Sequence, residues 1–600
     1  MTEHSTTRSP GSPDSVAKAW LRALERTSPI ARNPERIFPV MIEELAETFG
    51  DSPALLSDRE SLTYRALARR SNQYARWALD QGIENGETVA LLMHNRPEYL
   101  AIWLGITKVG GVVALLNTNL RGPSLAHCIN IVAPKQIIVD EALADSLSSA
   151  LPWLTVSPGV WAQIDRTVEP YGGEPLAESE RRRVTVEDRA LYIFTSGTTG
   201  LPKAANISHG RLMQWTNWFA GMMDTRSTDR LYNCLPMYHS VGGVQAPGAV
   251  LCGGGSVVIR EKFSAGQFWN DICRWECTMF QYIGELCRYL LHTEPSARET
   301  GQRIRMACGN GLRPDVWETF QNRFNIPRIL EFYAATEGNV SLFNVEGEPG
   351  SIGRIPPYLA HRSPVALVRF DFEKEAPVRN EQGFCVHCGP NETGEAIGPI
   401  LNGAADFAGR FEGYTSREAS EKKILRDVFK SGDAWFRTGD LMRRNGKGFF
   451  YFVDRVGDTF RWKGENVAAS EVAEAICEFP GVKQANVYGV EMPGTEGRAG
   501  MAALVAGDEL DLDALRAHLI CRLPEYARPL FLRVRGEMEV TSTFKCTKTE
   551  LVRQAYDPAA TADAIYFNDP EQGRFVRIDE ALYNRIQAED ILAPGAYHRC

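Results

Sequence analysis

Tyr192-Ile-Phe-Thr-Ser-Gly-Thr-Thr-Gly-Leu-Pro-Lys203 decides how the chain is read. The apolar run 190–194 before it reads as a short buried strand, and Ser208-His-Gly after it opens a helical pattern. Between them lie the hydroxyls of Thr195, Ser196, Thr198 and Thr199, the turn-forming Gly197 and Gly200, and the ammonium of Lys203. That combination is a phosphate cradle. It is not a Walker loop, because Leu201 and Pro202 separate the second glycine from the lysine. A plain Ser/Thr/Gly surface turn is the competing reading of any one such cluster.

Twelve residues in this order at a strand end resemble the phosphate-binding loop of the adenylate-forming superfamily, which joins a carboxylic acid to AMP. The flanking chain suits that reading. Leu67, Tyr74, Trp77 and Ala78 fall on one helical face after Thr63, a candidate N-cap. A buried strand over 89–93, a helix from Pro97, a strand over 112–116, a helix over 125–131 and a strand over 136–139 follow. This is an α/β rhythm of parallel crossovers, in which ligands gather at the C-terminal ends of strands.

The chain has 600 residues, too many for one core. The expected division is an N-terminal extension over 1–30, partly disordered, a large adenylation domain over 31–454 with mixed or parallel sheets, and a small mobile α+β domain over 455–600 carrying a family-specific tail. Within the large domain, 140–187 reads as a variable linker. In the small one, helices near 471–477 and 512–519 alternate with strands near 484–490 and 501–505. Apolar content of 44% and charged content of 24% are ordinary for a globular protein, and a net charge of −9 without a basic block argues against nucleic acid as a partner. The 13 scattered cysteines, with no secretory signal ahead of them, point to a reducing, cytoplasmic location. The pair Cys385 and Cys388 is read as structural. Lys108 and Gly110-Gly111 break the longest apolar run, so no transmembrane span is expected and any membrane contact is expected to be peripheral.

Further groups suit the activation of a carboxylate. Tyr333-Ala-Ala-Thr-Glu-Gly338 offers an aromatic ring for adenine, the Thr336 hydroxyl for phosphate and the Glu337 carboxylate for Mg2+, although in isolation it would pass for a turn boundary. Asp440 in Thr438-Gly-Asp-Leu441 can accept from both ribose hydroxyls, and Arg455 can reach the ribose or the phosphates. Lys545 in Thr541-Ser-Thr-Phe-Lys545 can bridge an acyl carboxylate and the α-phosphate.

These motifs, with Pro236-Met-Tyr-His239, look like the ordered core of acyl-CoA synthetases. Gly309-Asn-Gly-Leu-Arg313, the run 454–467 and Thr541 to Lys545 are similar to the fatty acid transport protein / very-long-chain acyl-CoA synthetase family, and the resemblance covers roughly residues 35–590. It implies ATP, Mg2+ and CoA, a fatty acid substrate, and two steps through acyl-AMP. By matching position, Thr195 to Gly200 and Lys203 would hold the β- and γ-phosphates, Thr336 the α-phosphate and Glu337 the metal. Asp440 and Arg455 would hold ribose, while Tyr333, Ala334 and the backbone of Gly309, Asn310 and Gly311 would surround adenine. Lys545 would serve adenylation, and Lys463 and Gly464 would meet CoA, a basic strand end being the competing reading of Lys463.

Gly457 stands at the pivot where many superfamily members have Asp or Lys, and Phe544 replaces the glycine that usually precedes the lysine, which brings Lys548 into consideration. His239 with Gly242, Gly243 and Gly248 is expected to line the mouth of an acyl channel, the glycines leaving room for the chain. The stripe Trp215, Trp218, Phe219 and Met222 reads as core packing. Two other functions share parts of this pattern. One is a fatty-acyl-AMP ligase serving a carrier protein. The other is a fatty acid binding or uptake module without chemistry.

Overall fold

The computed structural model describes residues 15–588 apart from 196–200, 363, 372–373, 402–406, 408, 463–464, 494, 496, 508–509 and 540–547. Its residues group into two compact units. The first comprises 1–311, 320–348 and 401–422; the second comprises 312–319, 349–400 and 423–600.

The first unit holds a six-stranded sheet in the order Gly159–Trp161, Gln136–Val139, Thr88–Leu92, Val112–Leu115, Arg189–Thr195, Lys203–Ser208. Neighbours are parallel except for the last pair. Helices cover both faces of such a sheet, so its strands are apolar throughout rather than alternating, and all five residues of Thr88–Leu92 are buried. A second set of strands runs in the order Ser341–Asn344, Ile329–Ala334, Met306–Asn310, Met279–Ile283, Arg230–Asn233, Ser256–Ile259, Pro53–Leu56, Ser61–Thr63. Its six inner strands are parallel and its two outer ones antiparallel.

The helices form for local reasons that the sequence displays. Thr63 caps Tyr64–Asp80, its hydroxyl accepting from the Ala66 N–H at 3.1 Å, and Leu67, Tyr74, Trp77 and Ala78 are all fully buried. Pro97 opens Pro97–Lys108, and its missing N–H costs nothing at that position. Among the described residues no helix is long and apolar enough to cross a membrane. Ser208 caps His209–Met223 through the Arg211 N–H at 3.1 Å. Against that helix packs Val16–Thr27, which the sequence reading does not anticipate. It buries Ala19, Trp20 and Ala23, and a Cβ on Gly221 would lie 2.5 Å from Ala23 Cα.

The 140–187 stretch is not a linker. It contributes the helix Ala144–Ala150 and the edge strand Gly159–Trp161. Arg76 ties its later part to the Tyr64–Asp80 helix by donating to Gly172 O at 2.6 Å, Glu174 O at 2.8 Å and the Glu180 carboxylate. Side-chain-to-backbone bonds of this kind leave no periodic trace in sequence.

The second unit contains strands in the order Ala376–Pro377, Ala366–Asp371, Gly394–Pro399, Ala434–Arg444, Phe449–Arg455, Gly353–Arg354, and a separate two-stranded hairpin, Phe460–Trp462/Glu465–Val467. A five-stranded sheet follows, Val482–Val490, Ala499–Ala506, Phe531–Arg535, Ala564–Asp569, Arg574–Arg577. Helices Ala469–Cys477 and Leu512–Arg522 lie at the positions expected. Residues from Phe460 to Ile586 share one hydrophobic core of their own, centred on Ile476, Leu504, Leu515, Phe531 and Phe567.

Candidate active site

The phosphate-loop motif spans a hairpin. Arg189–Thr195 pairs antiparallel with Lys203–Ser208, and Thr195 sits directly opposite Lys203. The sequence reading has a strand before the loop and a helix after it; the structure inserts the strand Lys203–Ser208 between loop and helix. Ser196, Gly197, Thr198, Thr199 and Gly200 lie outside the described residues, as do Lys463, Gly464 and Lys545.

Around the hairpin, the same unit gathers several polar groups. Residues 413–415 run alongside Lys203–Ser208, with Asn206 N–H donating to Gly413 O and Thr415 N–H to Ala204 O, both at 3.0 Å. This places the buried Tyr414 beside the hairpin. Its hydroxyl donates to Glu337 Oε1 at 2.7 Å and faces the Thr195 hydroxyl, while Lys203 Nζ stands 5.6 Å from the centre of its ring. Burial first, and the Glu337 carboxylate second, raise the Tyr414 phenol far above its usual range, so it stays a donor.

Arg211, buried at 3% exposure, binds the two remaining segments together. It donates to Gly338 O at 2.7 Å and to Arg410 O at 2.5 Å, and its guanidinium lies 3.6 Å from the Glu412 carboxylate. Glu412 in turn accepts from the Ser208 hydroxyl at 2.6 Å and the Ser208 N–H at 2.7 Å. A single buried guanidinium thus fixes Thr336 to Gly338 against the hairpin.

Thr336 Oγ1 is 3.1 Å from Ser240 Oγ, which brings the Pro236 to His239 motif to the same place. His239 packs on Tyr238 with ring centres 4.6 Å apart, and its carbonyl accepts from Gly243 N–H at 2.8 Å. The turn Val241–Gln245 that follows is π-helical, a geometry often found at functional sites. At each of these glycines the Cβ direction is filled by protein rather than open to an acyl chain. A Cβ on Gly243 would lie 1.9 Å from Met237 O, one on Gly242 2.5 Å from Pro236 O, and one on Gly248 2.2 Å from Thr216 Cγ2. They are small because the chain packs against itself there. Trp218 and Phe219 of the helix stripe pack on Trp20, Phe332 and Phe343, as core residues.

Gly309 and Asn310 end one parallel strand, with Gly311 just beyond it, and Tyr333 and Ala334 end its neighbour, so both groups lie at the same edge. Gly309 must be glycine, since a Cβ would sit 2.3 Å from Tyr282 O. The Asn310 Oδ1 atom is buried without a hydrogen-bond partner, an acceptor suited to the donor edge of a heterocycle. Tyr333 and Ala334 are half-buried beside it.

In the second unit, Asp440 and Arg455 are cross-strand neighbours, paired at 3.6 Å. The Thr438 hydroxyl donates to Ala396 O and accepts from the Asp440 N–H at 3.0 Å, fixing the turn. Asp454 is buried and caps the helix Ala469–Cys477 from outside it, accepting from Ala469 N–H at 2.6 Å and from Arg455 N–H at 2.9 Å. Gly457 has φ +90° with no atom within 4 Å of where a Cβ would stand, so backbone conformation alone selects glycine there. Lys548 is ion-paired with Asp458 at 3.4 Å. No cluster of metal-binding side chains occurs among the described residues, Cys385 and Cys388 included.

Residues 42–383 match the AMP-binding enzyme family, and 471–545 match the AMP-binding enzyme C-terminal domain. Long-chain fatty acid transport protein 6 of Mus musculus is 40% identical over 553 residues, covering 90% of this chain and 88% of that protein. Long-chain fatty acid transport protein 1 of the same species is 40% identical over 543 residues, covering 88% and 83%. The chain belongs to the fatty acid transport protein / very-long-chain acyl-CoA synthetase family of AMP-binding enzymes. The fold is that of the anthranilate CoA ligase AuaEII solved with anthranoyl-AMP, at a TM-score of 0.75 and 19% identity over 88% of this chain and all of that one.

This fatty acid transport protein relative is therefore an AMP-forming acid–thiol ligase by family. Tyr414, Arg211, Glu412 and Ser240 are polar residues of this candidate site that sequence reasoning misses. Gly413-Tyr414-Thr415 after a charged Arg410-Phe-Glu412 stretch is the one signal that could have drawn attention to them.

Proposed function

We propose that the protein converts long-chain or very-long-chain fatty acids to their CoA thioesters. In the first step a carboxylate oxygen attacks the α-phosphorus of ATP, the bond to the β-phosphate breaks, and acyl-AMP and pyrophosphate form. In the second the sulfur of CoA attacks the acyl carbon and AMP departs. The observation that carries this reading is the gathering of Thr195, Lys203 and Glu337 around Tyr414, with Thr336, next to Glu337 in the chain, meeting Ser240.

In this reading the loop from Thr195 to Gly200 and Lys203 bind the terminal phosphates, and Thr336 meets the α-phosphate. Asn310 Oδ1 supplies an acceptor for the adenine amino group, Tyr333 lies against the ring, and Asp440 and Arg455 hold ribose. His239 lies beside the reacting carboxylate. Glu337, a half-exposed carboxylate that accepts from the Tyr414 phenol, fits a Mg2+ ligand, and Mg2+ there would neutralise phosphate charge. Lys545 stabilises the charge that develops during adenylation. The domain expected over 455–600, in which residues from Phe460 to Ile586 share a core, then turns about Gly457 to bring Lys463 and Gly464 to CoA. The enzyme acts in the cytoplasm, in peripheral contact with membranes that supply its substrate.

The test is pyrophosphate release from ATP and Mg2+ with fatty acids of graded length, with and without CoA. CoA-dependent turnover with a preferred length is the expected result. A single turnover that CoA does not rescue would instead indicate transfer to a carrier protein, and no pyrophosphate with any acid would indicate binding without chemistry.

A further inference from the structure

We propose that Tyr414 is a positioning residue that keeps the carboxylate and the ammonium of the nucleotide site apart. The assignment rests on the reading of Lys203 and Glu337 as phosphate- and magnesium-binding groups. Those two side chains carry opposite charge on the same site, and left to themselves they would attract and neutralise each other. Each instead meets a different part of one buried tyrosine. The Glu337 carboxylate accepts from the phenol at 2.7 Å, and the Lys203 ammonium faces the ring at 5.6 Å.

The spacer is itself held firmly. Its backbone is bonded to the strand Lys203–Ser208 on both sides, Gly413 and Thr415 each engaging that strand at 3.0 Å, and Asn206 Nδ2 donates to Glu412 O at 3.0 Å. The Glu412 carboxylate is fixed by Ser208 and Arg211. A tyrosine suits the task because its two ends have opposite electrostatic character. The hydroxyl donates to an anion and the ring face attracts a cation. Each charge is thereby oriented without being cancelled, and neither has to be pulled from the other when the nucleotide arrives.

Binding of ATP to the full-length protein, measured by calorimetry in EDTA and again with Mg2+, separates the two contacts. Tyr414→Phe keeps the ring and removes the hydroxyl. Its affinity for ATP in EDTA should match wild type, while the gain in affinity on adding Mg2+ should shrink about tenfold, the worth of a hydrogen bond to a charged group. Tyr414→Leu removes the spacer, so Lys203 should pair with Glu337 and ATP should bind about fivefold more weakly in EDTA, as expected for breaking one partly exposed ion pair. Adding Glu337→Gln to Tyr414→Leu should restore that loss, a rescue that simple structural damage cannot produce. A defect that persists in the double variant, or Tyr414→Phe behaving as wild type in both titrations, overturns the assignment alone. Wild-type protein that binds no ATP in either condition overturns the function reading and the assignment with it.

Discussion

Asp440 and Arg455 face each other across adjacent antiparallel strands, carboxylate to guanidinium at 3.6 Å, with the aspartate largely sheltered and the arginine half exposed. Asp440→Asn should weaken AMP binding about tenfold or more by removing a charged acceptor from the ribose. Calorimetric titration with AMP measures the change, and unchanged affinity would take Asp440 out of the nucleotide site.

Lys548 already has a partner in Asp458, whereas the adenylation role needs a lysine able to move to the reacting carboxylate. Lys548→Ala should therefore leave adenylation within a fewfold of wild type. Lys545→Ala should abolish it while sparing thioester formation from supplied acyl-AMP. The reverse pattern in the two half-reactions would transfer the role to Lys548.

Asp454 organises a helix it does not belong to. Asp454→Ala leaves the Ala469 N–H buried without its acceptor and should destabilise the protein by about 1–2 kcal/mol, the scale of a lost helix cap. Chemical denaturation checks this, with Asp454→Asn expected to lose less because its side-chain oxygen can still accept.

His94 and Asp140 lie 3.3 Å apart at the ends of neighbouring parallel strands. The bond to Asp140 raises the His94 imidazole above its ordinary value, and the bond to His94 lowers the Asp140 carboxyl. The histidine's contribution to stability is fully present below its unfolded value of about 6.5 and disappears as pH rises through the higher folded value. The aspartate's is present above about 3.9 and is lost as pH falls through the lower folded value. The stability difference between wild type and His94→Gln should accordingly be larger near pH 5.5 than near pH 8.5. Urea denaturation at the two pH values decides, and an equal difference would dissociate the pair from stability.

The alternating helices and strands from Thr63 to Val139 are legible because each displays a cap, a proline or an unbroken apolar run. The strand Lys203–Ser208 is not, since Lys-Ala-Ala-Asn-Ile-Ser has little strand propensity of its own. Pairing on both sides, with Arg189–Thr195 and with residues 413–415, imposes its conformation. The same holds for the site. Lys203, Thr336 and Glu337 stand in motifs, whereas Arg211 and Tyr414 gain their meaning only from partners more than 70 positions away, Gly338 and Glu337. Val16–Thr27 escapes notice because its buried face consists of two alanines and one tryptophan.

The crowding around Gly242, Gly243 and Gly248 bears on attempts to retune this enzyme. Efforts to alter chain-length preference commonly plug a tunnel by enlarging its small residues. Here the hydrogen that a side chain would replace on each of these glycines points at Pro236 O, Met237 O or Thr216, so larger side chains would jam the scaffold. A mutant library directed at selectivity is better spent elsewhere, and variants at these three positions will report on whether the protein folds.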